Sequence, residues 1–104
     1  MPQKAKLGQN FLAERSARVR IVEALGDISE KTVVEIGPGK AAITELLAQK
    51  TSRLIAVELD RELAASLRQR FAERPVRVIE QDILTVDLDS LRNHDEKYQN
   101  EKTD

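Results

Sequence analysis

Cysteine is absent from this 104-residue sequence, and histidine occurs once. Without cysteine the chain can form neither a disulfide nor a thiolate metal site, and one histidine cannot build a histidine metal cluster, so we expect no metal centre. No apolar run approaches the length needed to span a membrane, and the first residues lack the pattern of a signal peptide. The sequence alone therefore predicts a soluble, cytoplasmic protein without a membrane partner.

Aromatic residues make up only 3% of the chain, and the formal net charge is −1. A charge so close to zero does not by itself indicate a polyanionic partner. The charges are unevenly distributed, however, because the first 24 residues contain five basic and only two acidic side chains. The remaining composition, 40% hydrophobic and 34% charged, is typical of one small domain with a modest core.

The centre of the sequence is a short apolar segment that leads into two glycines. Residues 32–36 are typical of a buried strand, and Gly37-Pro38-Gly39 follows just before a segment with helical apolar spacing. Gly37, Gly39 and Ala42 fit the loose G-x-G-x-x-[GA] pattern of nucleotide-type cofactor sites, where glycines let a ligand approach the backbone. A tight turn without a ligand fits the same residues, so the pattern alone leaves both interpretations open.

Apolar periodicity predicts alternating helices and strands around this segment. The expected elements are a helix over 13–25 ending at Gly26, strands over 32–36, 53–57 and 76–79, and helices over 41–50 and 61–71, the last with Asp60 as N-cap. The buried helix positions are expected to be Ile43, Leu46, Leu47, Leu63, Leu67 and Phe71. Strands joined by one helix each must be parallel with right-handed crossovers. The fold class is therefore α/β, half of a doubly wound Rossmann-like sheet, β-α-β-α-β, preceded by an amino-terminal helix.

The chain after Asp82 carries weaker signals. Its apolar residues fit a further short helix and an edge segment equally well. Residues 92–104 are polar apart from one tyrosine, which predicts a disordered tail.

Three acidic residues stand at or near the ends of the predicted strands. They are Glu35, Glu58 and Asp82, and we expect their carboxylates to gather along one edge of the sheet. A carboxylate at the end of the second strand can accept hydrogen bonds from both ribose hydroxyls of a cofactor. Acids at strand ends are also common as solvated caps, so each residue alone is weak evidence.

Charge discriminates between the possible cofactors. A dinucleotide would bring a pyrophosphate to the glycine turn, where Glu35 would repel it and Lys40 would only partly offset the repulsion. S-adenosylmethionine carries a sulfonium and an ammonium group and no phosphate. The P-loop pattern G-x-x-x-x-G-K-[ST] does not occur, because Lys40 is followed by alanine. The residues favour S-adenosylmethionine, with a nicotinamide dinucleotide as the alternative.

Four motifs together resemble the amino-terminal part of the ribosomal RNA adenine dimethyltransferases. They are Leu-Gly-Gln-Asn-Phe-Leu at 7–12, Val-Glu-Ile-Gly-Pro-Gly at 34–39, Ala-Val-Glu-Leu-Asp at 56–60 and Glu-Gln-Asp at 80–82. The match extends from about residue 6 to residue 91, in the order and spacing of the family. The resemblance implies a class I S-adenosylmethionine-dependent methyltransferase that places two methyl groups on N6 of adenines in small-subunit ribosomal RNA, within the 30S subunit or its precursor.

The resemblance also implies roles for individual residues. Residues 1–91 would form a partial cofactor-binding domain in which the basic arm, 1–12, closes over the cofactor rather than fraying. Glu35 would lie near the amino group of the methionine moiety, Glu58 would hold the ribose, and Asp82 would accept from the adenine amino group. The complete cofactor-binding set would be Asn10, Leu12, Glu35, Gly37, Gly39, Glu58 and Asp82. The residues near RNA phosphates would be Lys4, Lys6 and Arg15.

The sequence departs from the family pattern in two places. Lys40 replaces the usual apolar residue after Gly-Pro-Gly. The family's catalytic tetrapeptide, Asn-Leu-Pro-Tyr, which holds the flipped adenine, does not occur, and Pro75 is the last proline. We therefore assign no catalytic residue and expect little or no methyl transfer by this chain alone.

The alternative function is that of a non-catalytic module that binds cofactor or RNA, with its first strand open to pairing with another copy.

Overall fold

The computed structural model describes residues 14–91, and the predicted arm 1–12 and tail 92–104 lie outside them. Helices and strands alternate along the described chain. The elements are helix α1 over 14–24, β1 (Thr32–Ile36), α2 (Ala42–Ala48), β2 (Arg53–Glu58), α3 (Arg61–Arg70), β3 (Val76–Glu80), a 3-10 turn (Ile83–Thr85) and a helical segment, α4, over 88–91. The predicted order is confirmed.

The three strands form one parallel sheet in the order β1-β2-β3. In its register Glu35 lies opposite Ala56, and Glu58 lies opposite Glu80. The central strand β2 is buried from Leu54 to Glu58. Glu58 therefore stands at the carboxyl end of the most buried strand.

The two faces of the sheet are covered differently. Because side chains alternate along a strand, one face carries Val33, Leu54, Val76 and Val78, which join a core with side chains of α1, α2 and α3. The opposite face carries Val34, Ile55, Val57 and Ile79 and is covered by Ile83, Val86 and Leu91 from the segment after β3. Full burial of side chains such as Leu54 and Phe71 contributes about 1.5–3 kcal/mol each.

Local chemistry explains most of the element boundaries. Asp60 caps α3 as predicted, since its Oδ1 accepts the Leu63 N–H at 2.9 Å. Gly26, which follows α1, has a φ of 71°. Asp82 caps the 3-10 turn through the Leu84 N–H at 2.9 Å, so the segment after Asp82 begins as a short helical turn.

Helix α2 is shorter than the predicted 41–50. Ala41 adopts a left-handed conformation with φ of 72°, so the helix begins one residue later. At the other end, the N–H groups of Lys50 and Thr51 both donate to the Leu47 carbonyl and close the helix in a turn. The predicted burial of Leu47, Leu67 and Phe71 is confirmed, whereas Ile43, Leu46 and Leu63 are only half-buried.

An ionic contact joins α2 to the end of α3. The Glu45 carboxylate accepts from Arg74 Nη1 at 2.7 Å and from Arg70 Nη2 at 3.4 Å. Both guanidinium groups also lie over the Phe71 ring, 5.3 and 5.5 Å from its centroid. The hydrogen bond from Arg74 lowers the pKa of Glu45. This contact fixes the start of α2 relative to α3, next to the glycine turn.

Candidate functional site

The glycine loop, residues 37–41, connects β1 to α2. Gly37 and Gly39 have φ of 65° and 55°, a conformation that side chains with a Cβ rarely adopt. The Gly37 N–H donates to the Val57 carbonyl at 2.9 Å, and the Ala41 N–H donates to the Pro38 carbonyl at 2.9 Å. A Cβ placed on Gly37 would meet no atom within 4 Å. Backbone conformation, not lack of space, therefore requires the glycine, and the space above it is open.

Glu58 links the glycine loop to the start of α3. Its Oε1 accepts the Gly39 N–H at 3.0 Å, and its Oε2 accepts the Asp60 N–H at 2.9 Å. The residue is only 6% exposed. Each carboxylate oxygen can accept more than one hydrogen bond, so both oxygens keep acceptor capacity for a ligand. The two backbone bonds hold the carboxylate in one position before any ligand arrives.

A cavity of about 180 Å³ opens at the carboxyl ends of the strands, and we call it the strand-end cavity. Its wall combines polar and apolar side chains at the ends of all three strands. The lining residues are Ile36, Gly37, Val57, Glu58, Leu59, Gln81, Asp82 and Ile83. Most small-molecule pockets measure roughly 300–1,000 Å³, so residues 14–91 form only part of a cofactor-sized site.

The predicted acidic residues do not all lie in this cavity. Glu58 and Asp82 face it together, as part of its wall. Glu35 is two positions further from the strand ends in the sheet register, because its neighbour on β2 is Ala56 rather than Glu58. Its carboxylate accepts the Thr44 hydroxyl of α2 at 2.5 Å and is not part of the cavity wall. Burial raises the pKa of Glu35, and the hydrogen bond from Thr44 opposes part of that rise.

The other predicted site residues are placed as follows. Gly39 contributes its N–H to Glu58 and does not line the cavity. Arg15 is exposed on α1 and lines a different groove, against α2. Asn10, Leu12, Lys4 and Lys6 lie outside the described residues.

Sequence reasoning missed the apolar part of the cavity wall. Leu59 is 66% exposed and Ile36 is 59% exposed, although both are large apolar residues. Leu59 follows Glu58, and Ile36 lies between Glu35 and Gly37, so each is adjacent to a residue with a predicted cofactor role. The sequence signal that could have identified them is an apolar residue next to an acid at the end of a strand. These residues can cover the flat faces of a ring that the acids hold by its edge.

Within residues 14–91 we find no group of three or more acidic or histidine side chains placed to hold a metal ion. The described helices include none that is long and apolar enough to cross a membrane.

Comparison with known proteins gives consistent results. The family model described as "Ribosomal RNA adenine dimethylase" matches residues 2–103. Ribosomal RNA small subunit methyltransferase A of Acidobacterium capsulatum is 63% identical over 95 residues, which is 90% of this chain and 34% of that protein. The protein of the same name from Koribacter versatilis is 59% identical over 90 residues, 86% of this chain and 32% of its own length. This chain thus spans about a third of the length of these relatives.

Two solved structures show the same fold. The 23S rRNA methyltransferase ErmE superposes with a TM-score of 0.65 at 32% identity, covering 70% of this chain and 30% of its own. A dimethyladenosine transferase from Plasmodium falciparum has a TM-score of 0.65 at 21% identity, covering 70% of this chain and 28% of its own. The second likeness, at this identity, concerns the fold alone. Both structures continue well beyond the region that this chain matches.

Proposed function

Because this chain belongs to the ribosomal RNA adenine dimethylase family, we propose that it binds S-adenosylmethionine at the carboxyl ends of its strands. In this proposal it forms the cofactor-binding part of an enzyme that transfers two methyl groups to N6 of adenines in small-subunit ribosomal RNA. Residues 1–91 are the partial cofactor-binding domain, and 92–104 are a polar tail. Since the proposed substrate is ribosomal RNA, the proposed place of action is the cytoplasm.

The observation that carries the proposal is the fixed carboxylate of Glu58 beside the open backbone of Gly37. Glu58 is held by two backbone N–H groups and lines the strand-end cavity. A carboxylate in that position can accept from the ribose hydroxyls, which is its usual role at the end of the second strand of a Rossmann-like sheet. A carboxylate that is already oriented loses little entropy when the ribose arrives.

The remaining cavity wall suits the adenosine part of the cofactor. Asp82 uses Oδ1 to cap the 3-10 turn and stands where a carboxylate can accept from the adenine amino group. Leu59 and Ile83 supply apolar surface for the ring. The cavity presents two carboxylates and no basic side chain, which favours a cationic methyl donor over a pyrophosphate.

The methionine part of the cofactor would extend over Gly37 toward Glu35. The half-buried Glu35 carboxylate would then accept from the ammonium group, with Thr44 holding it in place. Asn10 and Leu12 of the arm would close over the cofactor and complete a site that residues 14–91 form only in part. Lys4, Lys6 and Arg15 would contact RNA phosphates.

Calorimetric titration with S-adenosylmethionine tests the proposal. Hydrogen bonds to a charged group contribute about 1.5–3 kcal/mol, so Glu58→Gln is expected to weaken binding roughly 10- to 150-fold. The matched control is Glu73→Gln, which removes the same charge from an exposed residue outside the cavity. Equal affinity of the wild type and Glu58→Gln, or tighter binding of a nicotinamide dinucleotide, would contradict the site.

A second variant covers the risk that Glu58→Gln perturbs the fold. In glutamine one of the two carboxylate oxygens is replaced by an NH2 group, which cannot accept, so either the Gly39 or the Asp60 N–H loses its acceptor at a cost of about 1–3 kcal/mol of stability. Asp82→Asn retains an oxygen that can cap Leu84 while removing the charge. We expect this variant to remain folded by circular dichroism and to bind the cofactor at least about fivefold more weakly.

A further inference from the structure

A second groove lies between α1 and the start of α2, outside the strand-end cavity. It has a volume of about 350 Å³, and three arginines line it: Arg15 and Arg18 from α1 and Arg70 from α3. Arg15 and Arg18 are three residues apart on one helix, so their side chains lie on the same face, with about 5–6 Å between the Cβ atoms. We call this feature the arginine groove.

The arginine groove carries an excess of positive charge. Its one acidic lining residue, Glu45, is already engaged by Arg70 and by Arg74. Arg18, which is half-buried, makes only a loose contact with the exposed Glu14 at 3.9 Å, of the kind that contributes little in water. Arg15 has no hydrogen bond or ion pair within residues 14–91. Within the described residues, therefore, the guanidinium groups of Arg15 and Arg18 remain available to an anion.

The groove does not suit the proposed cofactor, which is itself a cation. Guanidinium groups bind phosphate oxygens through paired N–H donors, and arginine is the side chain best matched to that geometry. The groove also borders the glycine loop, because Ala41 lines it and Arg70 donates to the Lys40 carbonyl at 3.2 Å. A phosphate chain held here would pass beside the loop on which the cofactor rests.

We infer that the arginine groove binds the phosphate backbone of the RNA substrate through Arg15 and Arg18, with Arg70 adding positive charge beside the glycine loop. This inference rests on the proposed function, since that function supplies the RNA. It extends the RNA contact expected of Arg15 to Arg18, and it brings Arg70, 55 positions away in the sequence, to the same groove. Contacts of this kind fix the position of the RNA and carry no sequence preference.

The test compares two double variants of the full 104-residue chain. Arg15→Gln/Arg18→Gln removes two charges from the groove, and Arg20→Gln/Arg53→Gln removes two charges from exposed residues that do not line it. The probe is a fluorescein-labelled RNA hairpin, and binding is followed by anisotropy between 50 and 200 mM salt. Circular dichroism checks that both variants are folded, and calorimetry with S-adenosylmethionine is run on each.

Each phosphate contact contributes close to one unit to the slope of log affinity against log salt. We expect the groove variant to lose about two units of slope and on the order of tenfold or more in RNA affinity at 0.1 M salt. The control variant should change affinity less than about threefold, and both should bind S-adenosylmethionine like the wild type. A folded chain that binds no RNA, an equal loss in both variants, or inorganic phosphate binding as tightly as the hairpin would overturn the inference.

The two proposals can fail separately. RNA binding that depends on the groove without any cofactor binding would overturn the cofactor site and leave the groove standing. Cofactor binding together with RNA binding that is indifferent to Arg15 and Arg18 would overturn the groove and leave the cofactor site standing.

Discussion

At the scale of single residues, Ala41 has the backbone conformation least suited to its residue type among residues 14–91. Its φ of 72° places it in the left-handed region, and it is 1% exposed. The conformation costs an L-amino acid roughly 1–2 kcal/mol. The surrounding structure maintains it because the Ala41 N–H and carbonyl bond to Pro38 and Glu45 on either side. The residue thus ends the glycine loop and starts α2.

Substitution of Ala41 should show both its strain and its burial. Ala41→Gly relieves the strain but loses a buried methyl group and gains entropy in the unfolded chain, so we expect it to stay within about 1 kcal/mol of the wild type. Ala41→Val adds a β-branched side chain at positive φ in a buried place and should lower the free energy of unfolding by about 2 kcal/mol or more. Urea denaturation measures both. A valine variant as stable as the glycine variant would contradict the left-handed conformation.

Glu35 gives a prediction about pH. Burial raises its pKa in the folded chain, so the folded state holds the proton at pH values where the unfolded state has released it. Stability should therefore fall as pH rises from the unfolded-state pKa of glutamate, about 4.3, through the raised folded value. Glu35→Gln does not titrate and can still accept from Thr44. We expect the two proteins to be similar below about pH 4, with the variant more stable at pH 7.

The measurement is the free energy of urea unfolding at several pH values for both proteins. The prediction is wrong if the difference in free energy of unfolding between the two proteins does not change with pH. It is also wrong if the wild type becomes more stable relative to the variant as pH rises, and either result would show that the Glu35 carboxylate is not held in a half-buried site. The same substitution should weaken S-adenosylmethionine binding if Glu35 accepts from the ammonium group. Glu35 would then lower the stability of the fold while strengthening cofactor binding, a combination that is expected at a functional site.

The sequence predicted where the acidic residues stand along the strands better than it predicted their contacts. The positions of Glu58 and Asp82 at strand ends follow from the strand pattern. The Gly39 N–H that helps to hold Glu58 depends on the left-handed conformations at Gly37 and Gly39, which the pattern allows but does not specify. The contact of Glu45 with Arg70 and Arg74 joins residues 25 and 29 positions apart, and only the crossover between helices brings them together.

At the scale of elements, strands were predicted more closely than helices. The bounds of β1 agree, and β2 and β3 are each one residue longer, because Glu58 and Glu80 still pair in the ladder. Runs of β-branched residues bounded by polar ones mark such strands clearly. The end of α2 was predicted two residues too late because Gln49 and Lys50 are both compatible with a helix. The closure onto the Leu47 carbonyl is a backbone contact that the side-chain pattern does not show.

The N-cap of α3 gives the prediction at this scale. Asp60 satisfies the Leu63 N–H, and replacement of an N-cap by alanine costs typically about 1 kcal/mol. Asp60→Ala should lower Tm by roughly 4–8 °C, whereas Asp60→Asn, which also caps, should change it little. Thermal unfolding followed by circular dichroism distinguishes them. Equal Tm values for the alanine and asparagine variants would show that the Asp60 cap does not contribute to the stability of the fold.

At the scale of the whole molecule, the sheet is supported unevenly. Three helices cover one face, whereas Ile83, Val86 and Leu91 alone cover the opposite face within the described residues. The strand-end cavity is correspondingly open and small. These features agree with a chain that spans about a third of the length of its relatives. The two carboxylates that we propose as ribose and adenine acceptors, Glu58 and Asp82, both line this cavity.

The last prediction separates cofactor binding from catalysis. An adenine amino nitrogen is a poor nucleophile because its lone pair is delocalised into the ring, so methyl transfer needs groups that hold the flipped base and stabilise the transition state. The resemblance assigns that task to Asn-Leu-Pro-Tyr, which this sequence does not contain. We expect the chain to bind S-adenosylmethionine yet to incorporate tritiated methyl groups into unmethylated 30S subunits at least about a hundredfold more slowly than the full-length Acidobacterium capsulatum relative. Incorporation at a comparable rate would show that residues within this chain complete the adenine site, and that the division between cofactor binding and catalysis is wrong.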